Sequence, residues 1–432
     1  MRQENGLRFY SATDLVNYLG CAHATYNDVR QLTHPVEFAE DDEQAALLQE
    51  KGLEHEHAYL ERLRSEGRVI VEIPSGDTLD AKIIATRDAM RAGADVVYQG
   101  ALMAAPWHGF SDFLLRVNGV ASSLGNFAYD VADTKLARTA KPKHVIQMCV
   151  YADLLGSVQG IEPPQMHVVL GDGNQVSLRT STVRHYYNIA RGRFESFVGA
   201  PTATSPEPCG HCQFCRWQAT CQAEWEATEH LSLVANINSS QIEKLRDGGV
   251  TSLRQLAALK ANVRIPNLQA ETLARLRSQA RLQVVRRDTG KNQHELLPPL
   301  PGRGFARLPK PSEGDLFFDM EGDPLYDLGL EYLFGFIHVD GGQERFTAYW
   351  AHDRIEEKAA FERAVDFIVA RLATYPDAHV YHYASYEESA LKRLAMLHGT
   401  RETEVDNLLR RHKLVDVFKV VREGVRVSEP RY

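Results

Sequence analysis

Apolar residues recur at helical spacing through "EQAALLQEKGLEHEHAYLERLRSEG", which predicts a helix ending at Gly67. Before it, residues 11–65 read as helices throughout, with Ser11 and Asp14 placed as a shortened capping box. "RVIVEIP" predicts a strand and residues 79–92 a helix. "VVYQGALMA", "HGFSDFLLRV" and "FAYDVADTKL" then alternate as three strands joined by polar turns. A helix over 143–155, a strand in "MHVVLGDG" and a long helix over 180–198 complete an α/β region. From residue 229 the pattern turns all-helical. "SSQIEKLRDGGVTSLRQLAAL" has the shape of a helix–hairpin–helix whose turn offers N–H groups to phosphates, with a packing module as the alternative. "LLPPLPGRGFARLPKPSEG" reads as a linker. Strands in "DLFFDMEGDP", "EYLFGFIHV" and "RFTAYWA" follow, then a helix over 355–373, strand "AHVYHYA" and a helix over 386–398. The expected organisation is an α/β multidomain chain: 1–228, a helical connector 229–295, a linker 296–313, and a second α/β domain 314–432.

Composition narrows the class. The 432 residues are 44% hydrophobic and 25% charged, as in ordinary globular proteins. No apolar run approaches the roughly 20 residues a membrane helix needs, and "MRQENGLRFYSATDL" lacks the features of a signal peptide; a cytoplasmic protein without a membrane partner is expected. Net charge is −8. Within that acidic chain, residues 241–310 hold fourteen Lys and Arg against five Asp and Glu, which reads either as a phosphate-binding surface or as a solvated helical face.

The chemistry starts in "YDVADTKLARTAKPKHVIQMCVYADLL", residues 129–155. Asp133 and Lys135 lie two apart on a strand and so share a face. This is either a surface ion pair or a catalytic carboxylate beside a lysine that steadies a nucleophilic water. Asp112 opens the strand in "HGFSDFLLRV", "GLEHEHAYL" places His55 and Glu56 on the early helix, and Gln147 and Tyr151 share a helical face. With His55, Asp112 and Asp133 as ligands, Mg²⁺ or Mn²⁺ would stabilise charge on a scissile phosphate, and Lys135 would offset the charge that develops.

"KGLEHE", "GFSD", "YDVADTKLA" and "QMCVY", in this order over about residues 8–225, resemble the RecB-like branch of the PD-(D/E)xK nucleases. The resemblance implies a restriction-endonuclease-like core with catalytic Asp112, Asp133, Lys135, Gln147 and Tyr151. It also bears on the cysteines, four of which crowd into "PCGHCQFCRWQATC". In relatives one early and three late cysteines hold a [4Fe–4S] cluster, a pattern that falls on Cys21, Cys212, Cys215 and Cys221. The cluster would close a loop of roughly 190 residues. Cys209 departs from that pattern, and Zn²⁺ held by Cys209, Cys212, Cys215 and Cys221 is the alternative. Cys149 reads as a buried thiol.

Asp319 and Glu321 in "DLFFDMEGDP", Glu387 after His382 in "VYHYASYEESALKRLA", and Asp416 in "RRHKLVDVFKVV" resemble the DnaQ/YprB-type exonuclease branch of the RNase H fold. There, four carboxylates hold two metal ions. Glu387 stands where that branch usually has Asp, and Asp406 competes with Asp416 for the last ligand. The domain order resembles the N-terminal part of large bacterial RecB-like nuclease–superfamily 1 helicase proteins, so a truncated chain and a helicase domain or subunit as partner are expected. No GxxxxGK[ST] occurs, hence no ATP hydrolysis is expected. The leading expectation is a metal-dependent deoxyribonuclease acting in DNA repair, recombination or defence. The alternatives are a nucleic-acid-binding scaffold with decayed sites, or the nuclease module of a helicase complex.

Overall fold

A computed structural model describes residues 1–4, 6–36, 38, 43–326 and 328–430, and divides the chain into two units, Met1–Ala227 and Thr228–Tyr432. In the first, a hairpin of β1 (Arg2–Glu4) and β2 (Leu7–Phe9) leads into α1 (Ala12–Gly20), α2 (Ala22–Gln31) and α3 (Glu43–Ser65). The capping box forms: Asp14 N donates to Ser11 Oγ, and Ser11 N donates back to the Asp14 carboxylate at 2.8 Å.

The strand-like runs assemble into one six-stranded sheet of β3 (Ile70–Glu72), β4 (Val96–Ala104), β5 (Trp107–Ser122), β6 (Gly125–Thr134), β7 (Gln165–Val169) and β8 (Gln175–Arg179), in that spatial order. Strands β4 to β6 run antiparallel as a meander, while β7 lies parallel to β6 and β3 parallel to β4. Helix α4 (Leu79–Arg91) joins β3 to β4, α5 (Pro142–Gln159) joins β6 to β7, α6 (Thr180–Gly199) follows β8, and α7 (Gln218–Ala227) ends the unit.

Both faces of the sheet are covered, which is why β6 is buried from Ala128 onward and not at alternate positions. Tyr129 and Val131 pack with Met148 and Leu155 of α5 and Phe194 of α6. Ala132, on the other face, packs with Phe113 and with Tyr59, Leu60 and Leu63 of α3. Gln159, at the end of α5, accepts from Tyr129 N at 2.8 Å and donates to Tyr129 O at 3.1 Å, so its amide serves β6 as a strand would. Helix and strand are thereby fixed in register below the stretch that carries Asp133.

The second unit opens with α8 (Ser239–Asp247), α9 (Leu253–Ala258) and α10 (Ala270–Thr289). The α8–α9 turn consumes its own donors. Gly248 N reaches Lys244 O, Gly249 N reaches Arg246 O, Val250 N reaches Leu245 O, and Thr251 N reaches the Gln255 side chain. A Cβ on Gly248 would lie 2.7 Å from Ile265 Cδ1. The turn therefore leaves none of these four N–H groups for a phosphate.

Beyond it, β9 (His294–Leu296) pairs with β15 (Val425–Val427). Within the stretch expected as a linker, a 3₁₀ turn at Gly304–Arg307 packs on α14 (Val417–Gly424). The main sheet has the order β12-β11-β10-β13-β14, from β10 (Leu316–Asp323), β11 (Leu330–Asp340), β12 (Gln343–Trp350), β13 (Val380–His382) and β14 (Leu414–Asp416). The first three are antiparallel, and β13 and β14 run parallel to β10. Helices α11 (Arg354–Thr374), α12 (Tyr386–His398) and α13 (Glu402–Arg410) cover the face that carries Leu316, Phe318 and Met320. Among the described residues, no helix is long and apolar enough to cross a membrane.

Candidate functional site

Strands β5 and β6 pair Phe113 with Ala132, so Asp112 and Asp133 stand opposite each other one step further on. Asp133 is buried and forms an ion pair with Lys135. Apart from that pair, its Oδ2 has no hydrogen-bond partner among the described residues. Thr134 donates through N and Oγ1 to Asp112 Oδ2. Burial, then the charge of Asp133, raises the Asp112 carboxyl to about 7 against the pull of Lys135. Two carboxylates this close resist ionising together unless a cation joins them.

Helix α3 supplies a third carboxylate. Glu56 is buried and raised above the usual range, first by burial and then by the charge of Asp112. It accepts from the Gln99 amide. Gln99 itself has φ +57° and lies between the pairs Tyr98↔Phe113 and Gly100↔Ser111, which places it across from Asp112. A non-glycine residue in the left-handed region costs of order 1 kcal/mol and persists where its surroundings fix it.

His55, the ligand expected from "KGLEHE", has Nε2 3.4 Å from Val169 O, the carbonyl that also accepts from Lys135 N at 2.8 Å. Thus His55 sits by the backbone of Lys135, and Glu56 stands against Asp112. The sequence does not distinguish Glu56 from His55 in this respect, because helical spacing alone does not separate neighbours about 100° apart. From α5, Gln147 Nε2 donates to Tyr151 Oη at 3.0 Å. The Tyr151 hydroxyl is held well above its usual pKa by burial, then by the charges of Asp133 and Asp112. His55, Glu56, Asp112, Asp133, Lys135, Gln147 and Tyr151 thus belong to one end of the sheet. Oxygen donors of this kind suit Mg²⁺ or Mn²⁺.

The cysteines also converge. Cys21, Cys212, Cys215 and Cys221 line one small cavity together with Trp217 and Trp225. None of the six cysteines is in a disulfide. Burial, reinforced by neighbouring thiols, raises Cys21, Cys212 and Cys215, and Cys221 to about 11. Cys209 is exposed, with Sγ 3.8 Å from Cys212 Sγ. Cys149 is buried in the α5 core and raised to about 12 by that burial.

In the second unit, Asp319 and Glu321 project from β10 on the face away from its helices, and a bulge follows Glu321. Burial, then the charges of Glu387 and Glu321, raises the Asp319 carboxyl. Glu387 is buried at the start of α12 with Oε2 3.3 Å from His382 Nδ1. That oxygen and both His382 ring nitrogens are buried without hydrogen-bond partners among the described residues. Asp416 pairs across β14 with His382, accepts from Ala384 N at 3.1 Å, and caps α14. Asp406, the competitor, forms an exposed pair with Arg410 on α13. Asp416 thus lies beside His382, whereas Asp406 is a surface residue.

Among the described residues, no three His, Cys, Asp or Glu side chains are arranged to hold a metal ion. Fit to a cation rests instead on the donor chemistry: clustered carboxylates, an orphaned Glu387 oxygen and raised carboxyls. The RNase_H_2 family model, described as RNase_H superfamily, matches residues 316–429. This C-terminal region is an RNase H-like domain, in keeping with its sheet order. No curated protein matches the chain.

Proposed function

We propose that the chain is a divalent-metal-dependent nuclease that hydrolyses DNA phosphodiester bonds, with its principal centre of the PD-(D/E)xK type in the first unit. The observation that carries this reading is the convergence of Glu56, Asp112, Asp133 and Lys135 at one sheet end. Asp112, Asp133 and Glu56, with His55 beside them, would hold Mg²⁺ or Mn²⁺. Such an ion supplies charge stabilisation at the scissile phosphate and a lowered pKa for water.

Lys135 reaches the same space from the Asp133 side, where its ammonium orients the attacking water and offsets charge gained in the transition state. The Tyr151 hydroxyl, oriented by Gln147, borders the carboxylates from α5. Asp319, Glu321, Glu387 and Asp416 form a second, exonuclease-type centre, supported by the RNase H superfamily match. At the cysteines, four thiols that repel one another as thiolates fit a cationic group, and Cys21 among them favours [4Fe–4S] over local zinc. Cleavage of end-labelled single- and double-stranded DNA with and without Mg²⁺ or Mn²⁺ tests the reading. DNA binding without metal-dependent cleavage would favour a decayed scaffold.

A further inference from the structure

A cleft of about 1080 Å³ in the second unit lies beside the RNase H-like centre. One wall is the α10 face bearing Glu271, Arg275 and Gln279, which recur at one-turn spacing. The opposite wall is α14 with the 3₁₀ turn before β10. Asp416, Ala384 and Ser385 border the cleft, so it opens onto the turn between His382 and Glu387.

Six cationic side chains line it against three carboxylates, inside a chain of net charge −8. The carboxylates are largely engaged. Glu423 accepts from Gly304 N at 3.0 Å and from Arg307 at 2.7 Å, and Asp416 lies 3.3 Å from Lys419. Arg422 is exposed and has no ion-pair partner among the described residues; its guanidinium lies 5.9 Å from the centre of the Phe418 ring. Arg303 is 61% exposed and only 3.8 Å at its nearest from Glu423. A Cβ on Gly304 would lie 2.8 Å from Gly424 Cα, so turn and helix are locked and the wall is set in advance.

We propose that this cleft is a binding track for single-stranded nucleic acid, leading a strand end toward Asp319, Glu321, Glu387 and Asp416. A cationic groove with an aromatic platform is what a sequence-tolerant single-strand site requires: charge follows the backbone and a ring stacks on a base. An acidic peptide would satisfy the cations but offer no base to stack on Phe418, whose ring is held edge-on by Tyr383 at 5.5 Å. The inference rests on the second centre being a nuclease site, but binding to the track needs no cleavage.

The test uses the full chain in EDTA with a fluorescein-labelled oligo(dT) of about 12 nucleotides. Binding is followed by anisotropy between about 50 and 200 mM salt. The double variant Arg303→Glu/Arg422→Glu should weaken binding at least tenfold and flatten the log–log salt slope by roughly 1.4. Phe418→Ala should weaken it about fivefold or more, and Arg410→Glu, on exposed α13, should change nothing. Ultraviolet crosslinking should map to the peptide containing Phe418. Melting curves identify any variant that fails to fold, in which case the wild-type crosslink decides. Unchanged affinity and slope in the arginine variant, crosslinks confined to residues 1–227, or displacement by polyglutamate as effective as by unlabelled oligonucleotide would each overturn the track. Loss of metal-dependent cleavage with the crosslink retained would strike the nuclease reading alone.

Discussion

Thr134 gives both of its donors to Asp112, its N–H at 3.0 Å and its hydroxyl at 3.2 Å, each to Oδ2. The residue between Asp133 and Lys135 thereby orients the carboxylate on the neighbouring strand. Thr134→Val keeps the shape and the N–H but removes the hydroxyl. It should cost about 1 kcal/mol of stability and raise the Mg²⁺ concentration for half-maximal cleavage roughly tenfold. An unaltered metal requirement, measured by titration at fixed substrate, would remove Thr134 from the site's support.

Cys21 and the late cysteines are brought to one cavity from opposite ends of the unit. The purified protein should contain iron and sulfide and absorb visible light. Cys21→Ala should lose both and melt at lower temperature, whereas Cys149→Ala, buried in the α5 core, should keep its colour. Stoichiometric zinc with an indifferent Cys21 would favour the local site that uses Cys209.

His144 is buried and pushed down to about 4 by that burial, then by Lys135, Lys143 and Lys141. Its Nδ1 accepts from Lys141 N at 3.3 Å, which requires that nitrogen unprotonated. Since the folded pKa lies below the ordinary 6.5, the unfolded chain binds the extra proton between about pH 6.5 and 4. Stability should therefore fall as pH drops through that window, by up to about 3 kcal/mol. His144→Asn keeps an acceptor but does not titrate, so its melting temperature should decline less between pH 7 and 5. Equal declines would assign the acid sensitivity elsewhere.

Gly322 follows Glu321 at the bulge, where a Cβ would lie 2.5 Å from Glu331 Oε2 and 2.7 Å from Tyr386 Oη. Those two groups hydrogen-bond at 2.8 Å, and Glu331 is buried and paired with Arg393. Gly322→Ala should cost about 1–3 kcal/mol and reduce any activity of the second centre. An unchanged melting curve would show that the pair yields freely.

Period-two runs and helix signals made the strands and helices of both units readable, because burial imposes that periodicity directly. The clustering of Asp112, Asp133, Lys135, Gln147 and Tyr151 was readable because each sits at a fixed place on an element. The placement of neighbours within one motif was not, as Glu56 beside Asp112 and His55 at Val169 O show. Nor was the use of backbone donors: the "DGGVTS" turn looks open in sequence, yet its N–H groups are consumed in folding. Arg281, similarly, spends its guanidinium on the carbonyls of Ala257 and Leu259. The cleft is not legible in the sequence because Arg275 and Arg422 come to line one space only in the tertiary fold.

Metal-dependent cleavage of labelled single- and double-stranded DNA by wild type, Asp133→Ala, Lys135→Ala and Asp319→Ala tests the central claim most directly. Asp133→Ala should abolish the main activity while keeping DNA binding. Lys135→Ala should lose about 10²-fold or more in rate with metal binding retained. Any residual exonuclease activity in either should vanish on adding Asp319→Ala. Equal cleavage by wild type and Asp133→Ala, with Asp319→Ala inactive, would contradict the account and leave Asp133 and Lys135 as a structural ion pair.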